Sequence, residues 1–321
     1  VWCITEGHPE GEVGTQERDE MKRRIAIIGA GVSGLAAAWE LRKTDVEVTV
    51  FEKSRGVSGR AASRSRHGAR YDHGANYFKT DSDAMTRLVH EELSRDGLVD
   101  IGRDIWTFDG AGTLVEGDAA QNAEPKWTYG DGISTLGKRL ASACGAEMVF
   151  EVRIGGLDEG ADGWTVRTDE GDEVGTFGAV LLTPPAPQAI ELLKGSVMDE
   201  ALRARLIGGL GGAKYYRQFS VVLNFDGEIE RPGDFYALLN SDRQHMISWV
   251  SFENDKPTRV PVGETVLIVQ MSPEWSARHF EEAHDVIAAE AWREAAALLG
   301  TDQRPLNWFD VQRWRVAHPS G

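Results

Sequence analysis

The strongest constraint on this chain is the run Gly29-Ala30-Gly31-Val32-Ser33-Gly34, set between a β-branched strand pattern at Arg24–Ile28 and a stretch of helix formers over residues 35–43. The three glycines meet different needs. Gly29 allows a tight turn, Gly31 lets backbone N–H groups approach a pyrophosphate, and Gly34 lets the helix lie close against the strand. Val32 and Ser33 sit where the helix N-terminus faces the phosphates. A second strand pattern at residues 46–51 ends in Glu52, eighteen residues beyond Gly34. A carboxylate at that strand end accepts both hydroxyls of an adenosine ribose and repels a 2′-phosphate. Strand, glycine turn, helix, strand and acid together predict a dinucleotide-binding unit, for NAD or for FAD.

The next residues bear on that choice. Glu52-Lys53-Ser54-Arg55-Gly56-Val57-Ser58-Gly59-Arg60 resembles the extended flavoprotein signature, in which the acid is followed by Gly-Gly-Arg; here the first of those glycines is Ser58. Arg60 is suited to neutralising the diphosphate of a buried cofactor through a charge-assisted contact. The alternative for Arg55, Arg60, Arg64 and Arg66 is a solvated basic loop.

Tyr71-Asp72-His73-Gly74-Ala75-Asn76-Tyr77-Phe78 follows, and with it the chain resembles the renalase-like branch of the FAD-dependent amine oxidase superfamily. The resemblance covers about residues 21–319. It is also carried by Pro184 through Gln188 after an apolar strand, by Lys256-Pro257, by Pro273-Glu274-Trp275-Ser276 and by Arg313-Trp314-Arg315-Val316-Ala317. The resemblance implies that FAD lies extended along the first domain, that Gly74, Ala75 and Asn76 pass close to the isoalloxazine, and that backbone near Val152 meets the adenine. It also implies that Tyr77 borders the substrate cavity, with Trp314 of the last motif among the substrate-side residues. The fold expected is α/β: a Rossmann-like FAD-binding domain of the glutathione reductase and amine oxidase type, with an interleaved α+β substrate domain on an antiparallel sheet.

Helical spacing predicts amphipathic helices over residues 81–95 and 133–144, and strands are expected at 148–152, 164–167 and 176–183. From about residue 188 to 299 the pattern turns to long antiparallel strands, at 218–225, 234–238, 246–252 and 265–270, followed by a long helix over 279–299. The expected FAD-binding domain is residues 21–80 with 131–187 and 300–321, and the expected substrate domain is 81–130 with 188–299. Tyr215, Tyr216, Trp249 and Phe252 are suited either to lining an apolar pocket before a flavin, with Trp249 as a substrate-binding residue, or to core packing. His245 is given no chemistry, and no catalytic side chain is assigned.

Composition narrows the partners. Lys and Arg number 35 against 51 Asp and Glu, a formal charge of −16 that repels phosphate backbones and anionic lipid headgroups. Nucleic acid and membrane surfaces are poor partners. Of the basic residues 26 are Arg and 9 are Lys, a balance that with the acidic surplus is also found in salt-rich cytoplasm, the alternative being an ordinary acidic protein. Two cysteines, Cys3 and Cys144, supply neither a disulfide framework nor metal spacing, so a reducing cytoplasm and no metal are expected. The longest apolar stretch falls short of the ~20 residues a membrane helix needs.

The expected activity is hydride transfer from a small donor to FAD and then to O₂. The resemblance points to 2- or 6-dihydro isomers of NAD(P)H. The alternatives are a primary or secondary amine as donor, an NAD-dependent dehydrogenase, or an inactive nucleotide-binding protein. Residues 1–20 are expected to be a disordered leader before a natural start at Met21. The resemblance implies further sequence beyond the Arg313-Trp314-Arg315 motif, including a Gly-Asp segment and a helix against the flavin, so a fragment of a longer product is expected, the alternative being a protein that has lost part of its flavin cradle.

Overall fold

The computed structural model describes residues 2–4 and 23–320, and the chain divides into two compact units, each assembled from separate stretches. The first takes the chain up to residue 59 together with 136–214; the second takes 60–135 with 215–320.

In the first unit a five-stranded sheet runs in the order Trp2–Ile4, Ala179–Leu182, Arg24–Ile28, Glu47–Glu52, Glu147–Phe150. The last four are mutually parallel, which requires cover on both faces, and Ala26, Ile27, Val50 and Val180 are accordingly inaccessible to solvent. Trp2–Ile4, expected within a disordered leader, instead pairs antiparallel with Ala179–Leu182; the other residues of that leader, 1 and 5–20, lie outside the described residues. The strand expected over 176–183 is two strands, Glu173–Phe177 and Ala179–Leu182. The first closes an antiparallel meander with Ile154–Gly160 and Gly163–Thr168, and the second joins the parallel sheet. Residues 188–214, expected in the substrate domain, fall in this unit and are largely helical, in Ala186–Lys194 and Glu200–Gly211. Pro187 in the first turn and Asp199, whose side chain accepts the Leu202 N–H at 2.8 Å, mark their starts.

The second unit is built on a seven-stranded sheet in the order Trp308–Trp314, Gln218–Asp226, Glu264–Met271, Ile247–Phe252, Phe235–Asn240, Asp104–Phe108, Leu114–Val115, all antiparallel except the Phe235–Asn240 and Asp104–Phe108 pair. His284–Leu299 packs on it through Ala288, Ala291 and Ala295, small residues that let the helix approach closely, while Trp292 meets Phe225 at 4.4 Å between ring centroids. Gly300, at φ +65°, ends that helix and turns the chain back toward the same sheet. Trp308–Trp314, expected with the nucleotide domain, therefore pairs with Gln218–Asp226. Residues 60–80 also belong to this unit, where Ser63–Arg66 and Ala69–Asp72 form a hairpin. The helix expected over 81–95 is shorter: Asp83–Arg87 is α-helical, and Leu88–Glu92 widens into a π turn in which Leu93 N–H bonds Leu88 O.

Backbone geometry in the first unit accounts for the glycines. Gly29 sits at φ +104°, and a Cβ on Gly34 would collide with the Gly29 carbonyl oxygen. Ser58 stands where the flavoprotein signature has glycine, and its φ is +88°, a region that suits glycine. Its N–H is committed to Ala30 O at 2.8 Å, and its buried hydroxyl has no hydrogen-bond partner among the described residues. Replacing Ser58 with Gly removes both burdens and is expected to raise stability by about 1 kcal/mol in urea unfolding; a lower stability would contradict this account of the turn.

Candidate functional site

The nucleotide-type turn is held open by its own hydrogen bonds. Glu52 accepts the Ala30 N–H on one carboxylate oxygen and the Ser54 N–H on the other, both at 2.9 Å. Each oxygen keeps lone-pair capacity for a further donor, such as a ribose hydroxyl. Gly31 caps the helix Val32–Leu41, whose cap makes no side-chain hydrogen bond and whose first turn contains no acidic residue, so no carboxylate of that turn competes with an anion at the helix N-terminus. A Cβ at Gly31 would meet nothing within 4 Å, which is the space a pyrophosphate needs. Val152, half-buried, donates its N–H to Glu52 O at 3.1 Å and so lies at the same strand end. Lys53 is exposed, with its ammonium on the Gln188 side chain at 3.2 Å. These residues of the first unit fit the adenosine diphosphate portion of FAD.

In the second unit the loop from His73 to Asn76 is held by several hydrogen bonds from neighbouring elements. Ala75 N–H donates to Arg60 O at 3.0 Å, the Gln270 amide to Gly74 O at 3.0 Å, and the Trp314 indole to His73 O at 2.9 Å. Ser251 donates to the Asn76 side chain at 3.3 Å. A Cβ on Gly74 would strike the Arg60 carbonyl oxygen, so only glycine fits. The loop forms one wall of a cavity of about 490 Å³. Tyr77, Trp249 and Trp314 supply its aromatic surface; Asn76, Gln218 and Gln270 supply amides; Arg60 stands at its edge with its guanidinium on Ala317 O at 2.9 Å. Burial pushes the Tyr77 hydroxyl pKa up. Tyr215, Tyr216 and Phe252 are not among the lining residues, and Phe252 belongs to the sheet core.

Packed within this unit is a group of four charges that sequence reasoning missed. Asp72, Glu253, Lys256 and Arg259 have fully buried side chains. Asp72 accepts Lys256 and Arg259, each at 3.0 Å, and also the Ser63 hydroxyl and Ile133 N–H; Glu253 accepts Lys256 at 2.6 Å and Arg259 at 3.1 Å. Burial alone would raise the Asp72 pKa, but the two cations and its hydrogen bonds outweigh this and hold it below the usual carboxylate range. Glu253, with fewer bonds, is pushed upward by burial and by the Asp72 charge against the pull of Lys256. Two acids against two bases leave no net buried charge, the condition under which such a group is tolerated. Its members are spread over 187 positions, and only the motif positions of Asp72 and Lys256 hinted at it.

His245 lies against Phe108, 3.8 Å from Glu294, and burial lowers its pKa. Among the described residues no cluster of His, Cys, Asp and Glu is arranged to hold a metal ion, and no helix is long and apolar enough to cross a membrane.

Residues 27–91 match the NAD(P)-binding Rossmann-like domain, and residues 116–321 match the flavin containing amine oxidoreductases. The chain belongs to the flavin-containing amine oxidoreductase family. Its cofactor is accordingly FAD, and its α/β architecture is that of the family. Among sequence relatives, the mitochondrial protoporphyrinogen oxidase of Nicotiana tabacum is 39% identical over 74 residues, covering 23% of this chain and 15% of that enzyme. The phytoene desaturase of Fusarium fujikuroi is 29% identical over 149 residues, covering 44% of this chain and 23% of the relative. The matches thus span less than a quarter of these relatives' own length. Among solved structures, cyclohexylamine oxidase from Brevibacterium oxydans IH-35A superposes with a TM-score of 0.70 at 14% identity, covering 91% of this chain and 84% of that one. Putrescine oxidase bound to putrescine gives 0.68 at 15% identity, covering 90% and 84%. At these identities the likeness is one of fold.

His73 supplies a pH test of the loop. Its ring stacks on Trp314 at 5.7 Å, and burial, reinforced by the positive charge of Arg64, lowers its pKa to about 4. The folded protein keeps it neutral where the unfolded chain, with a pKa near 6.5, takes up a proton. Its contribution is therefore complete above about pH 6.5 and is lost as the pH falls to about 4, by roughly 3 kcal/mol across that window. Urea unfolding of the wild type and of His73→Phe between pH 4 and 7 is expected to show a shallower pH slope in the variant; equal slopes would contradict the burial argument.

Proposed function

We propose that the chain is an FAD-dependent oxidoreductase whose donor is a small molecule, with 2- or 6-dihydro isomers of NAD(P)H as the substrate class. The observation that supports the flavin reading most directly is the open glycine turn, with Gly31 facing free space and Glu52 fixed by two backbone amides. In this reading Gly29, Gly31, Val32, Ser33 and Gly34 hold the diphosphate, Glu52 and Lys53 the ribose side, and Val152 the adenine. Arg60, Gly74, Ala75 and Asn76 stand at the flavin end, while Tyr77, Trp249 and Trp314 border the donor.

FAD supplies a two-electron acceptor that takes hydride from carbon and is reoxidised by O₂. The balance is simple: the dihydronicotinamide loses two electrons and one proton, and O₂ takes these with one solvent proton to leave as H₂O₂. The protein's share is placement and exclusion of water. The clamped His73–Asn76 loop gives a rigid wall, and the aromatic residues opposite keep a donor close and dry. No general acid or base is needed for a donor that leaves as an aromatic pyridinium.

The ordered motifs from Ser58-Gly59-Arg60 to Arg313-Trp314-Arg315 support this donor. An amine is the second reading, favoured by the family description and by the putrescine and cyclohexylamine oxidases that share the fold. The purified chain is expected to be yellow, and anaerobic mixing with the dihydro isomers to bleach the flavin at least about a hundredfold faster than putrescine or benzylamine. Faster bleaching by an amine would select the second reading. Gly31→Ala, at φ −70°, is expected to keep its thermal midpoint while losing FAD affinity by about tenfold or more, because the added methyl occupies the phosphate space; undiminished FAD binding would contradict the assignment of the turn.

A further inference from the structure

The geometry points to Gln218 and Gln270 as an acceptor pair that selects an uncharged planar donor carrying an N–H group. This deepens the flavoenzyme reading and rests on it.

The two amides lie in one row across the sheet. Trp314 is directly opposite Gln218, and Gln270 is opposite Ser220 on one side and opposite Trp249 on the other. Directly opposed residues share a face, and residues two apart on a strand do too, so Gln218 and Gln270 are diagonal neighbours between two tryptophans. All four line the same cavity.

The orientation of each amide is decided by its fixed partners. Gln218 donates its NH₂ to the Met271 carbonyl at 3.1 Å and to the Ser248 hydroxyl at 3.0 Å. Gln270 donates to the Gly74 carbonyl at 3.0 Å. Met271 O and Gly74 O are acceptors only, so turning either amide over would set oxygen against oxygen. Gln218 spends both of its N–H groups on the protein and Gln270 one of its two, and these bonds fix which way each amide faces; the side-chain carbonyl oxygens are what both residues have to offer a ligand, and they call for an N–H donor.

Charge decides which N–H donor. Among the described residues no Asp or Glu lines the cavity, and the one permanent charge there is the Arg60 guanidinium. An ammonium ion drawn in from water would find two amide dipoles but no counter-charge, and burying an unpaired cation is strongly unfavourable. The overall charge of −16 attracts cations toward the surface, but it is screened beyond about 8 Å at physiological salt, so the wall of the cavity decides. The aromatic rings do not form a cage for a cation either: Tyr77 and Trp249 already pack on one another at 6.3 Å, and Trp249 also meets Tyr236 at 6.0 Å. A flat neutral ring with a carboxamide or a ring N–H fits the indoles and the acceptors together.

Three ligands of similar size separate these demands: benzamide, acetophenone, which replaces the NH₂ with a methyl group, and benzylamine, a cation at pH 7. Binding is read from perturbation of the flavin spectrum and from quenching of tryptophan fluorescence. Benzamide is expected to bind at least about tenfold more tightly than either of the others. Gln218→Met and Gln270→Met are each expected to bring benzamide and acetophenone to within about twofold of one another, compared at equal FAD occupancy. Gln270→Met removes only one internal bond, so it carries the test if Gln218→Met does not fold. Equal binding of benzamide and acetophenone by the wild type, a preference that survives both substitutions, tightest binding by benzylamine, or no binding by benzamide would each overturn the inference. A colourless chain would sink the flavoenzyme reading instead, and the benzamide ratio would still be readable by fluorescence.

Discussion

One carboxylate sets the geometry of the nucleotide half. Glu52 receives the N–H of Ala30 from the glycine turn and that of Ser54 from its own strand end. Two charge-assisted bonds to backbone amides hold the turn at a fixed distance from the second strand and keep the carboxylate in one rotamer. The close approach at Gly34, the positive φ at Gly29 and the free space at Gly31 are consequences of the same arrangement. The turn is prepared for an anion before one arrives, so little ordering entropy is lost on binding.

The second unit solves a different problem. A loop rich in glycine, alanine and asparagine has little side-chain mass to hold it, and under the proposed function it would have to hold reacting atoms to within fractions of an ångström. Hydrogen bonds from Gln270 and Trp314 to loop carbonyls, and from Ala75 to Arg60, replace the missing packing. The four buried charges extend this from Asp72, next to the loop, to Glu253, Lys256 and Arg259. Such a network gains little net stability over an apolar core. It tolerates only one arrangement, because loss of any member strands a charge.

Legibility in the sequence followed the range of the interactions. The glycine turn and Glu52 were readable because their chemistry lies within about two dozen consecutive residues, and the second sheet because its strands alternate visibly. The pairing of Trp308–Trp314 with Gln218–Asp226 is not legible locally, because nothing in the strand distinguishes one sheet edge from another and its partner is about ninety residues away. Residues 188–214 were grouped with the second sheet although Pro187 and Asp199 were visible helix starts. The four buried charges were unreadable because each, alone, resembles a surface residue. Gln218 and Gln270 were missed for the same reason: an amide on a strand becomes informative only once its neighbours fix which end it presents.

In the proposed function the turn at residues 29–34 and Glu52 bind the adenosine diphosphate portion of FAD. The most direct test is titration of the flavin-free chain with FAD and with FMN, which carries the same ring without that portion. The account requires FAD to bind at least about a hundredfold more tightly than FMN. Equal affinity for the two, or binding of neither, would contradict it.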